Sequence, residues 1–166
     1  MELAQVNLAL GREPLDSLAL RPFMLLLDEI NAIADEAPGF LWRMQTEDGN
    51  ATAVTGFPAD GEPGRLVINM SVWTSFEALA SYVYGGPHLE VMRRRREWFE
   101  RMPESYMALW WVPAGQRPSV DDAEERVAVL RAEGVSPYAF SFREHFPAPV
   151  LGTERLDDER WGCPTS

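Results

Sequence analysis

Lysine is absent from this 166-residue chain: all 15 basic residues are arginine, set against 26 acidic ones for a formal net charge of −11. Binding a polyanion requires a basic footprint, which here would have to be assembled against the overall field, so nucleic acid is not an expected partner. Cysteine is nearly absent too. Cys163 stands alone, which excludes an intrachain disulfide and a cysteine-based metal cluster. Long apolar runs are also missing, the strongest being Phe23 to Leu27. The opening residues MELAQVNLAL have neither a basic region nor a long apolar stretch. Neither a signal peptide nor a membrane span is therefore expected, and a cytoplasmic protein is the simplest reading.

What is present reads as alternating strands and helices. Residues 3–10 alternate as a first strand, with Gln5 and Asn7 on one side and Ala4, Val6 and Leu8 on the other. Pro22 suits the first turn of a helix running to about Ala37, stopped by Pro38-Gly39, with Phe23, Leu26, Leu27, Ile30, Ile33, Ala34 and Ala37 as its inner stripe and Asn31 at the margin. Phe40 to Gln45 is a second strand, followed by a long Gly-, Pro-, Asn- and Asp-rich loop. Arg65 to Thr74 is a third, with Asn69, Ser71 and Trp73 sharing a face. Helices follow from Ser75 and, beyond the Gly85-Gly86-Pro87 break, from His88 to before Pro103. Tyr106 to Val112 is a fourth strand, and Ser119 caps a last helix that Gly134 ends. The order predicts an α+β fold, a ferredoxin-like split βαβ sheet over residues 1–149, with a Pro-rich acidic tail at 150–166.

The run HLEVMRRRREWFE, from His88 to Glu100, poses a question in so acidic a chain. Continued as a helix, it places Arg95 among Val91, Met92 and Phe99 on the apolar side. Arg93 and Arg94 fall opposite, within reach of Glu97 and Glu90, and Arg96 within reach of Glu100. A guanidinium in an apolar face must be paired or open into a cavity. Arg95 therefore either meets a buried partner or, with His88, lines a pocket.

Two strands carry amides on one face. In a ferredoxin-like sheet the first and third strands are the central pair, so Gln5, Asn7, Asn69 and Ser71 should converge where water is scarce. They then form a structural network, a ligand site, or both.

The phrases PGFLWR, NMSVWTSFEAL, RRRREWF, YMALWWVPAG and SPYAFSF, in this order from Leu3 to about Pro149, resemble a bacterial family catalogued as a domain of unknown function within the dimeric α/β-barrel, antibiotic biosynthesis monooxygenase-like superfamily. Where that family's pattern carries a histidine, this chain has Gln116. The resemblance implies a homodimer with sheets packed face to face. The haem-degrading monooxygenases of the superfamily use an Asn of the first strand, a Trp ending the third and a His of the following helical segment. Asn7, Trp73 and His88 hold those positions and are the candidate catalytic residues.

Three readings follow. In the first, a small-molecule enzyme works without a cofactor on an apolar or aromatic metabolite, by oxygenation, cyclisation or isomerisation. His88 moves a proton, Asn7 and Asn69 hold an oxyanion, Arg95 holds a carboxylate or enolate, and Trp42, Trp73 and Trp110 form aromatic walls. In the second, His88 is the axial ligand of a haem. In the third, the polar face is a satisfied network in a non-catalytic ligand-binding or structural dimer.

Overall fold

The structure, a computed structural model, describes residues 1–45 and 54–150. Four strands, β1 (Glu2–Leu10), β2 (Phe40–Arg43), β3 (Leu66–Trp73) and β4 (Met107–Val112), form one antiparallel sheet in the order β2-β3-β1-β4. With helix α1 (Arg21–Asp35) between β1 and β2, and α2 (Phe76–Val83) and α3 (Gly86–Arg94) between β3 and β4, this is the ferredoxin-like split βαβ arrangement. The predicted tail from 151 onward, and the part of the predicted loop at 46–53, lie outside the described residues.

Register decides which residues share a face. Gln5 lies opposite Ser71, and Asn7 opposite Asn69, so the four polar side chains project to one side, with Leu3 and Trp73 at one end. Helices α1, α2 and α3 cover this side. On the other side Ala4, Val6, Leu8, Ile68, Met70, Val72, Ala108 and Trp110 form an apolar layer. Helix α4 (Val120–Glu133) closes it with Ala123, Val127 and Leu130. That helix begins at the expected capping box, Ser119 and Asp122 each bonding the other's backbone N–H.

Both faces of the sheet are covered from within one chain, one by α1, α2 and α3 and the other by α4. The outer edge of β4 is also occupied: Leu109 and Phe140 exchange backbone hydrogen bonds at 2.9 Å.

Two helical expectations are corrected. Ile33 is exposed, and the buried positions of α1 are Phe23, Ile30 and Ala34. The helix from His88 does not continue towards Pro103. It begins at Gly86, ends at Arg94 and tightens into a 3-10 turn over Arg95–Glu97. The tighter turn lets the consecutive Trp98 and Phe99 both pack on Phe23, at ring separations of 5.7 and 4.6 Å. The surface pairs change accordingly. Arg93 approaches Glu90, Arg94 pairs with Glu97 at 3.0 Å, and Glu100 pairs with Arg65 rather than Arg96.

Candidate functional site

A cavity of about 190 Å³ lies between the polar face of the sheet and the helices. Its floor is Gln5, Asn7, Asn69 and Ser71, its roof includes Asn31, Tyr82, His88 and Met92, and Phe40, Trp73, Tyr106 and Phe142 close its sides. A smaller chamber of about 80 Å³ shares Asn7, Asn69, His88 and Met92 with it and adds Arg95. Five of the seven residues singled out from the sequence, Asn7, Asn69, Trp73, His88 and Arg95, thus line one of these two spaces.

The other two do not. Trp42 pairs in register with Val72, and Trp110 with Ala4, so both project to the α4 side of the sheet. Trp110 is 1% exposed in the core there, with the Arg126 guanidinium 6.0 Å from its ring. Neither lines the cavity. The walls that aromatic residues do supply come from Phe40, Trp73, Tyr82, Tyr106 and Phe142. Gln116, at the position of the family's histidine, is exposed beyond β4 and does not line the cavity either.

The polar floor divides into a satisfied half and an open half. Ser71 Oγ accepts from both Gln5 Nε2 and Trp73 Nε1, each at 2.9 Å. Trp73 is further held by Tyr82, stacked at 5.1 Å, and by the edge-on ring of Phe40 at 5.3 Å. The hydrogen bonds of this half are met within the chain. Removing the hydroxyl strands two donors that have little access to water, at about 1–3 kcal/mol each. We expect Ser71→Ala to lower unfolding free energy by about 2–4 kcal/mol in urea denaturation, and a change under about 0.5 kcal/mol would show that the donors find other partners.

The open half is Asn7 and Asn69, joined by Asn31 from α1. None of these three amides bonds another side chain or backbone group among the described residues, yet all three line the cavity. Amides in such a place require partners, and the space in front of them is where a ligand would supply those.

His88 is fixed at the start of α3 by the Gly85-Gly86-Pro87 break, Pro87 occupying the first turn. Its Nδ1 lies 2.9 Å from the Val83 carbonyl oxygen. A carbonyl only accepts, so Nδ1 carries the proton and Nε2 the lone pair. Burial holds the imidazole below its ordinary pKa, an effect that the Val83 bond partly offsets. His88 is thus neutral at neutral pH, and among the described residues its basic nitrogen has no hydrogen-bond partner, on a residue that lines the cavity. Tyr82, 4.9 Å from the imidazole, donates to the Ile30 carbonyl at 3.2 Å. Its own burial, with the Asp35 carboxylate nearby, raises it far above the usual phenol range, so it stays protonated.

Burial of the neutral ring couples folding to pH. Between the lowered folded pKa and the unfolded value of about 6.5, the unfolded chain binds more protons at this position, so folding is weakened as pH falls through that window. Above about 6.5 the contribution is fully present, and below the folded pKa no further loss occurs. The urea midpoint of the wild type should fall more steeply than that of His88→Ala on acidification from about pH 6.5. Parallel profiles would contradict the burial argument.

Arg95 has no carboxylate partner among the described residues. Its guanidinium rests 4.7 Å above the Tyr106 ring, and it faces the smaller chamber. Arg43, by contrast, is clamped on Asp35 at 2.7 and 3.1 Å. Sequence reasoning missed Tyr82, Tyr106 and Arg43. Only the apolar period of α2 pointed to Tyr82, and it could not separate a cavity wall from core.

Comparison with known proteins supplies the family. The family model described as a domain of unknown function, DUF3291, matches residues 2–156. The chain belongs to this family. No curated protein matches it. Among solved structures, the chain is similar to a protein of unknown function from Nitrosomonas europaea, at 10% identity over 71% of this chain and 95% of that one, with a TM-score of 0.48. It is also similar to SnoaB, a cofactor-independent oxygenase from Streptomyces nogalater, at 15% identity over 70% and 98%, TM-score 0.46. A dabb family protein with a ferredoxin-like fold from Mesorhizobium loti shares 12% identity over 69% and 100%, TM-score 0.41. No helix among the described residues is long and apolar enough to cross a membrane.

Proposed function

We propose that this DUF3291 protein is a small-molecule enzyme that removes a proton from an enolisable, single-ring substrate, with His88 as the base. The observation that carries the reading is the Nδ1 bond to Val83, which presents a neutral imidazole with its lone pair on Nε2 beside three unpartnered amides. A base needs that protonation state, and an enolate forming beside it needs hydrogen-bond donors directed at its oxygen. Asn7 and Asn69 supply those from the floor and Asn31 from the roof. Trp73 is a wall rather than a reacting group, because its N–H is committed to Ser71.

Size limits the substrate. An apolar cavity of about 150 Å³ holds a benzene ring, and typical ligand sites run from about 300 to 1,000 Å³. The space here, about 190 Å³, suits one substituted ring. Haem does not fit it. The macrocycle exceeds the cavity, and for two propionates the lining of the two chambers offers Arg95 alongside an Arg43 already engaged by Asp35. Proton loss gives an electron-rich carbanion that can add dioxygen, close a ring or be reprotonated elsewhere, so oxygenation, cyclisation and isomerisation share this step. The test is hydrogen exchange: single-ring enolisable ketones incubated in D₂O should lose their α-proton signals faster with protein than without. A compound that binds in the cavity yet exchanges no faster would contradict the reading.

A further inference from the structure

Arg95 lines more than the inner chamber. It also lines an open depression of about 740 Å³ on the outer side, where Arg12, Arg96 and Arg101 join it. Tyr106 lies in the wall of both this depression and the main cavity, under the Arg95 guanidinium. Arg95 and Tyr106 therefore mark where the depression adjoins the inner spaces.

The four arginines share a second property. None of them makes an ion pair among the described residues; Arg21, Arg126 and Arg143 make none either, but they do not line the depression, whereas Arg43, Arg65, Arg93, Arg94, Arg117 and Arg131 are all paired. Arg12 spends one nitrogen on the Arg96 carbonyl oxygen, at 3.0 Å, and keeps the rest of its fork open. Of the two acidic residues in the depression, Glu100 pairs with Arg65 at 2.8 Å, and the exposed Glu104 reaches out to an Arg131 that Asp60 already holds, so four arginines face one uncompensated carboxylate. Leaving four guanidiniums unpaired in a chain of net charge −11 concentrates positive potential in one concave place. At physiological ionic strength the field of the remote acids is screened beyond about 8 Å, so a ligand inside the depression meets the arginines.

We propose that this depression is an anion vestibule that takes the phosphate or diphosphate group of a small substrate whose uncharged ring occupies the cavity. One carboxylate would be satisfied by a single bidentate arginine, whereas four forks match the several oxygens of a phosphoryl group. A single depression of this size, flanked by Glu100 and Glu104, suits a small ligand rather than an extended polyanion. The assignment of the ring to the cavity rests on the proposed enolisation reading; the anion site does not.

The probe is inorganic pyrophosphate, titrated calorimetrically into the full-length protein at low ionic strength. The wild type and His88→Ala should bind it equally, since His88 lines the inner spaces and not the depression. Arg96→Ala and Arg101→Ala, both at exposed positions, should each weaken binding by about tenfold, while Arg93→Ala, exposed on α3 but outside the depression, should leave it unchanged. Absence of pyrophosphate binding, or binding indifferent to Arg96 and Arg101, would overturn the vestibule. Benzoate binding as tightly with the same arginine dependence would overturn the phosphoryl assignment. Loss of exchange activity in His88→Ala with pyrophosphate binding intact bears on the cavity chemistry alone, so the two proposals fail separately.

Discussion

Replacing His88 with alanine should lower the rate of substrate α-proton exchange by about 10²- to 10⁴-fold, the usual contribution of a positioned general base. Three features make the effect specific to this residue. The imidazole is neutral because burial lowers its pKa; its tautomer is set by the Val83 carbonyl 2.9 Å away; and Tyr82, the titratable side chain in contact with it, is held protonated. The measurement must be made on folded protein, because the imidazole also packs against Tyr82. Equal melting temperatures with a collapsed exchange rate would assign His88 to the chemistry. Wild-type exchange in a folded His88→Ala protein would make it a structural residue, and the analogy drawn through Asn7, Trp73 and His88 would go with it.

The second large effect separates the two faces of the sheet. Trp110→Ala should destabilise by about 3–5 kcal/mol, as truncation of a buried aromatic residue does, which for a chain of this size lowers the melting temperature by roughly 6–20 °C. Below that temperature the folded variant should exchange substrate protons at the wild-type rate, since the indole lies under α4, away from the cavity. A variant that melts like the wild type but loses ligand binding would place Trp110 in the site and invert the assignment of faces.

Trp110 also shows where sequence reasoning stops. Alternation along Tyr106–Val112 separates two sets of side chains but cannot say which set joins Gln5 and Asn7. That follows from the pairing of Ala4 with Trp110, a property of the register. Trp42 was obscured further by the irregularity between Phe40 and Trp42, which breaks the alternation that would otherwise have shown its side. The polar face itself was legible, because polar residues at alternate positions of a strand must share one side of it, and β1 and β3 each carry such a set. Arg95 was expected on the inner side of a helix that in fact ends one residue earlier, and it lines both the inner chamber and the outer depression. The role of α4 was not legible. Its inner residues include Ala123 and Val127 amid charged neighbours, a weak stripe whose burial depends on a sheet face to receive it. The vestibule was hidden for a related reason: Arg12 and Arg101 are far from each other in sequence and meet only in the fold.

The central claim is that His88 presents an unprotonated Nε2 to the cavity, and the imidazole nitrogens can be observed directly. A long-range ¹H–¹⁵N correlation spectrum of the protein at pH 7 should show His88 as the neutral Nδ1–H tautomer, titrating below the ordinary value of about 6.5. An imidazolium at pH 7, or a neutral ring protonated on Nε2, would contradict the account.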